Sequence, residues 1–330
     1  MRLSFDEVDL DSKELEKFLS DVEADNIFHT IQWFRVISES GDGELKMVLA
    51  SRDGNRVVLL PLFYRRVGPI MWLERAPSTP YLFPLMVERE GGRQSSRSSY
   101  IKQVFTEVAR YIESRFHTAE LFDSPGLNDM RPFVWRGWQT SVRYTLISKI
   151  GEIYEMWEGL SPKVRSIIRK GERDGLIYNE KGEIGIVECL IGESFRRQGR
   201  RPPLSKGFFR SFKRFIIGAG LGSSPVVTNR GGEPQAGALV ATYGGTSYYI
   251  SAGLSEDAHP SAGSCLLWNI MRGLSGSVEY LDLCGANIKS IAHFKESFEG
   301  ELVPFYALYY QKSRMHNNIV NILKRLYFPL

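Results

Sequence analysis

Apolar residues in this chain change their spacing several times, and each change marks an element. Leu15, Phe18, Leu19 and Val22 recur at helical spacing behind Asp11-Ser12, which predicts a capped helix after a short first strand ending at Val8. A second helix is expected over 31–38. Residues 45–50 and 57–64 are rich in β-formers and flank Arg52-Asp53-Gly54-Asn55, a hairpin signal of the Asp-Gly kind. Residues 70–73 extend this meander. Turn-forming residues dominate 76–81, and 91–99 is polar and rich in glycine and serine, so both are expected as loops. A helix over 100–116, a strand over 119–122, a short helix over 128–135 and a strand over 138–147 follow.

The second half repeats the style. Ser161-Pro162 is an N-cap with proline at the first helical position, and Gly175 ends that helix. Helices are expected over 189–195 and 208–217. Strands are expected over 224–229, 235–243 and 247–254, the last two joined at Gly244-Gly245. Then come a helix over 264–274, a strand over 279–283, a helix over 288–297, a strand over 301–310 and an amphipathic helix over 317–326. The fold class is therefore α+β, and 330 residues suffice for two cores.

Composition narrows the function classes. Hydrophobic residues make up 43% and charged residues 24%, which is ordinary for a globular chain. No apolar run approaches the roughly 18 residues of a membrane helix. The start turns acidic at Asp6-Glu7 and lacks a signal-peptide apolar region, so a soluble cytoplasmic protein is expected. A net charge of +4 does not imply nucleic acid, and no DNA partner is expected. Cys189, Cys265 and Cys284 are far apart in apolar settings, without zinc spacing. They are expected as buried small hydrophobes, with no metal site.

Several residues can carry chemistry. Arg165, Arg169 and Arg173 share one helix face, either as a solvated face or as a clamp for phosphate or carboxylate. Arg200 and Arg201 belong to a denser basic region with interleaved phenylalanines, which read as core at helical spacing; the cations would favour an anionic carrier. Tyr81 and Tyr249 are further candidates for acceptor binding. The strand through Ser251-Ala252-Gly253 ends in small residues where it can bulge and present backbone N–H groups to a carbonyl oxygen. Ser261-Ala262-Gly263 opens a helix, either as an ordinary turn or as a donor-binding N-terminus. Lys295, between Phe294 and Phe298, is either a solvated lysine or a desolvated ammonium facing an oxyanion. Asp282 is a base or, more simply, a cap. His259 and His293 have no paired carboxylate at a telling spacing.

In order and spacing, Trp33, 165–175, Gly237-Ala238, 248–253, 261–268, 282–285 and Phe294-Lys295 through Phe298 resemble the GNAT acyltransferase superfamily, in its FemABX-like branch. The resemblance implies two tandem GNAT-like domains, each a mixed, mostly antiparallel sheet flanked by helices. They would cover 1–148 and 149–311, with 312–330 packing back on the first. It implies transfer of an acyl group from an acyl-CoA such as acetyl-CoA to a small-molecule or peptide amine. The FemABX alternative uses aminoacyl-tRNA and a peptidoglycan precursor, and a non-catalytic binding module on the same scaffold is a third class. It assigns Lys295 to the tetrahedral intermediate. Two departures stand out: 256–263 lacks the (Arg/Gln)-x-x-Gly-x-(Gly/Ala) loop of coenzyme A enzymes, and Ile37 occupies the place of an acceptor-binding lysine.

Overall fold

The computed structural model describes residues 2–22, 24, 26–87, 93–126, 128–202 and 204–327. The chain divides into two units, one taking it up to Arg143 and again from Pro304, the other taking Tyr144–Val303. The first unit runs β1 (Ser4–Val8), α1 (Lys13–Asp21), α2 (Ile31–Glu39), β2 (Glu44–Arg52), β3 (Asn55–Val67), β4 (Ile70–Leu73), β5 (Leu85–Met86), α3 (Gln94–Arg115), β6 (Thr118–Phe122), α4 (Arg131–Val134) and the start of β7 (Gln139–Lys149). The second holds the rest of β7, then α5 (Ile153–Gly159), α6 (Pro162–Asp174), β8 (Ile177–Asn179), α7 (Ile184–Arg197), α8 (Lys206–Phe212), β9 (Gly222–Ser223), β10 (Val226–Thr228), β11 (Pro234–Tyr243), β12 (Thr246–Leu254), α9 (Ala262–Leu274), β13 (Tyr280–Asp282), α10 (Lys289–Glu296) and the start of β14 (Gly300–Gln311). The remainder of β14 and α11 (Arg314–Tyr327) return to the first unit.

In the first unit the strand order is β1-β2-β3-β4-β6-β14, antiparallel except for β4 and β6. Asp53 and Gly54 close the central hairpin at φ of 51° and 81°, the left-handed pair that a tight two-residue turn needs. Ser12 caps α1 by accepting from the Leu15 amide at 3.3 Å. Val104, Phe105, Val108 and Ile112 lay the apolar stripe of α3 into the core. α11 buries Val320 and sets Lys324 against Glu74 and Glu120.

In the second unit the order is β7-β13-β12-β11-β10-β8, with β12 and β13 the parallel pair. Its core joins Val164 and Ile168 of α6 to Leu266, Leu267 and Ile270 of α9 over Ala236, Ala238 and Tyr249. Gly175 ends α6 at φ 91°.

Four elements differ from the sequence expectation for physical reasons. Within the loop expected over 91–99, residues 91 and 92 lie outside the described residues, and α3 already begins at Gln94. Its first turn exposes polar side chains, so no apolar period marks it. α5 buries no side chain and so leaves no period either. α4 is confined to Arg131–Val134. α7 starts at Ile184, five residues before the expected boundary.

Candidate active site

The site is built where two neighbouring strands part. β13 pairs with β12 through Thr246↔Tyr280, Ser247↔Leu281 and Tyr248↔Asp282, and there β13 ends. β12 continues to Leu254, laddered to β11 alone among the described strands. A bulge at Ile250 shifts the register between Leu239↔Ser251 and Val240↔Tyr249, just before the Ala252-Gly253 position where the sequence suggests one. Ala252 and Gly253 themselves pair regularly with Ala238 and Gly237. Ser251 and Ala252 are half-buried, so this edge of β12 is partly open to solvent. At its end, Leu254 donates its N–H to Ser194 Oγ at 2.7 Å. A Cβ on Gly263 would lie 3.7 Å from Leu254 Cδ2 and 3.8 Å from Phe294 Cζ. The tip of β12, the start of α9 and α10 therefore meet around Gly263.

Lys295 is 7% exposed and turns inward from α10. Its Nζ donates to the Leu283 carbonyl and, at 2.8 Å, to the Gly285 carbonyl. An ammonium has three donors, so one N–H meets no acceptor among the described residues. Burial lowers the Lys295 pKa below the ordinary lysine value, against the opposing pull of Cys284 and Asp282. Asp282 is also buried. Its Oδ1 accepts from Thr145 Oγ1 at 2.5 Å and from the Cys284 amide at 2.7 Å, while the Gly285 amide donates to Thr145 Oγ1 at 3.0 Å. These bonds lock the turn that presents carbonyls to Lys295. They are the bonds of a cap, the simpler of the two roles the sequence allows Asp282.

The start of α9 is already partly satisfied. Ser261 and Ala262 are buried, and Ser261 makes no side-chain cap. The Ser261 amide donates to His259 Nδ1 at 3.2 Å and the Ala262 amide to the His259 carbonyl at 2.8 Å. His259 Nε2 lies 3.0 Å from Asp174 Oδ2, a partner eighty-five residues away that spacing alone does not reveal. His293 sits 3.5 Å from Glu296 on its own helix.

The basic candidates are dispersed. Arg165 pairs with Glu158 at 2.5 Å, and Arg169 lies over the Trp157 ring at 5.3 Å. Arg200 and Arg201 are exposed beyond the end of α7. A cavity of about 760 Å³ is lined by Glu193, Arg196, Arg197, Gln235, Glu256 and Asp257 among others, and not by Arg200 or Arg201. Neither Lys295 nor Ser251–Gly253 lines it. Tyr249 is buried in the second core, where burial raises its pKa. Tyr81 lies in the core of the first unit, edge-on to Phe28 at 5.8 Å and to Phe305 at 5.2 Å. Trp33 is buried and donates to Thr79 Oγ1 at 3.0 Å, and Ile37 is buried too.

The cysteines split in a way that their apolar neighbours do not signal. Cys265 is buried with its pKa pushed up to about 11, and burial also raises that of Cys284. Cys189 is exposed on α7, contrary to the sequence expectation, because its position falls on the solvent side of that helix. Native protein at pH 8 will therefore take up iodoacetamide at Cys189 first, with Cys265 and Cys284 labelled after denaturation. Peptide mass spectrometry reads the order.

Residues 164–296 match the family model described as an acetyltransferase (GNAT) domain. The fold is similar to that of FemX (TM-score 0.63, 12% identity, covering 92% of this chain and 96% of that one). It is also similar to L-PGS from Bacillus licheniformis (0.57, 13%, 95% and 96%). A tandem GNAT protein from the clavulanic acid biosynthesis pathway, solved without AcCoA, matches at 0.59 and 13% over 94% and 99%. No protein among the curated ones matches the sequence. The tandem GNAT architecture that these structures share is thus the fold of this chain.

Proposed function

We propose that this tandem GNAT chain is an N-acyltransferase whose second unit holds the activated donor and passes its acyl group to an amine. The observation that supports this most is the parting of β12 from β13 after Tyr248, with a buried ammonium at the first carbonyls beyond β13. The amine nitrogen attacks the acyl carbonyl, a C–N bond forms, and the oxygen takes up negative charge. The Ala252 N–H, which the ladder register turns away from β11, and the remaining Lys295 N–H stabilise that oxygen. Collapse expels the donor's leaving group, and the proton of the amine departs to solvent. The raised pKa values of Cys265 and Cys284 keep both thiols protonated, which favours direct transfer over an enzyme thioester.

An acyl-CoA suits the open edge, because an extended amide-bearing arm can pair with a strand that has lost its neighbour. A second donor, aminoacyl-tRNA, is favoured by one feature. The Ser261 and Ala262 amides are committed to His259, and Glu256 and Asp257 stand just before α9, a poor setting for a pyrophosphate.

Thermal shift separates the readings. A donor at a hundred times its Kd will stabilise the chain by about 2.7 kcal/mol. Acetyl-CoA or longer acyl-CoAs are expected to raise Tm and to support acylation of an amine panel. Stabilisation by charged tRNA alone, falling steeply with salt, would transfer the assignment to the aminoacyl donor. Silence from both donors, with specific retention of a partner, would leave a binding module.

A further inference from the structure

A separate group of charges lies in the first unit. Glu74 pairs with Arg65 at 2.7 Å and with Lys324 at 3.2 Å, and Glu120 pairs with Lys324 at 3.4 Å. Both carboxylates are thus taken. Arg75 and Arg143 stand beside them and form no ion pair with a described residue. The two guanidiniums are linked through one aromatic pair. Arg143 Nη2 donates to the Tyr309 hydroxyl at 2.9 Å, the Tyr309 ring lies edge-on to Phe122 at 6.3 Å, and Arg75 sits over the Phe122 ring at 5.4 Å.

The same place carries two unexplained polar atoms. Arg143 Nε and Ser141 Oγ are buried and have no hydrogen-bond partner. Residues 141 and 143 are two apart on β7, so their side chains leave the same face of the strand. Buried donors without acceptors are rare and costly, and an ion that completes them is one of their ordinary explanations.

We propose that Arg75 and Arg143, held by Phe122 and Tyr309 and flanked by Ser141, form a binding site for the phosphate or carboxylate group of a small molecule. The planar guanidinium fork matches either anion bidentately, and an anion lying between two neighbouring guanidiniums relieves their mutual repulsion. Arg75 is exposed, so an anion can reach it from solvent. Enough protein surrounds its guanidinium for burial to lower its pKa; the Glu120 charge opposes that shift and the Arg143 charge adds to it. The site stands on residues of the first unit and does not depend on the donor bound by the second.

The test uses the full chain with inorganic phosphate and acetate as probes, against chloride at matched ionic strength. Phosphate, acetate or both are expected to raise Tm above the chloride control; the arm that responds says which anion the site prefers. The R75Q/R143Q variant should weaken the response at least tenfold. Its Tm in chloride serves as the folding control, because the substitutions remove an unpaired buried donor and a like-charge contact together with the Arg143–Tyr309 hydrogen bond and the Arg75–Phe122 contact. R165Q/R169Q, on α6, should keep the full response. R75Q alone, at an exposed position, provides the same reading should the double variant fold poorly. The proposal is overturned by an absent anion effect at 100-millimolar probe, taken as about the weakest specific site. A response that survives R75Q/R143Q, or one that R165Q/R169Q abolishes, overturns it equally.

Discussion

Replacing Lys295 with Ala will lower kcat about a hundredfold to a thousandfold, some 2.7–4 kcal/mol of transition-state stabilisation, with a much smaller change in KM. The magnitude follows from the setting. The ammonium is buried, so its field is screened far less than that of a surface lysine. Two of its donors fix it to the Leu283 and Gly285 carbonyls, so it is aimed before any substrate arrives. The pH profile supplies an independent reading. Because burial lowers the Lys295 pKa, the charged form is present below that value and is lost as pH rises through it. The high-pH fall in rate should therefore come earlier than an ordinary lysine would give, and the Lys295→Ala variant should lack that limb. The same bonds also staple the turn after β13, so a fall in Tm is expected as well. A variant that loses stability but keeps full turnover would reduce Lys295 to that structural part.

Much of this site was legible in the chain, for reasons that differ residue by residue. Ser161-Pro162 and Gly175 bound α6 as expected, because caps act through a few adjacent backbone groups. Asp53-Gly54 and Gly244-Gly245 adopt the positive φ their residue types favour. Lys295 stood out through its aromatic neighbours, and it is buried. What the chain hid depends on distant contacts. His259 finds Asp174 across the fold, Thr145 reaches Asp282 from another strand, and Arg75 meets Arg143 through Phe122 and Tyr309. The α6 arginines drew attention by regular spacing, yet Arg165 is neutralised by Glu158 and Arg169 rests on Trp157. Periodicity shows that side chains share a face; it does not show what that face meets. Tyr81 and Tyr249 share this blind spot, since a tyrosine in a core and one in a cleft look alike in one dimension.

Gly253→Ala should destabilise the protein by about 3 kcal/mol or more, at the upper end of what overpacking costs. Exchanging a strand glycine for alanine ordinarily helps, by up to ~1 kcal/mol, because the unfolded chain loses freedom and the strand gains a side chain. Gly253 has no positive φ, so conformation sets no penalty. Contact decides instead. A Cβ there would lie 2.2 Å from the Leu190 carbonyl carbon, 2.3 Å from the Ile191 nitrogen and 2.3 Å from the Leu190 oxygen. All three are backbone atoms in the middle of α7, which cannot swing aside as a rotamer does. Gly237, its cross-strand partner, is the natural control. A Cβ on Gly237 meets the Leu190 Cδ1 at 3.0 Å and the Val187 Cγ2 at 3.1 Å, and both are side-chain methyls that can shift. Gly237→Ala should therefore cost clearly less. At roughly 2–4 °C per kcal/mol for a unit of this size, Gly253→Ala lowers the Tm of the second unit by about 6–12 °C. Relief of the clash must lift α7 or push β12 sideways, which displaces the Ser251–Gly253 edge, so donor binding should weaken even well below the melt. Equal melting of the two alanine variants would mean that α7 does not press on β12 at Gly253, and that the edge of β12 is positioned by something other than this close approach.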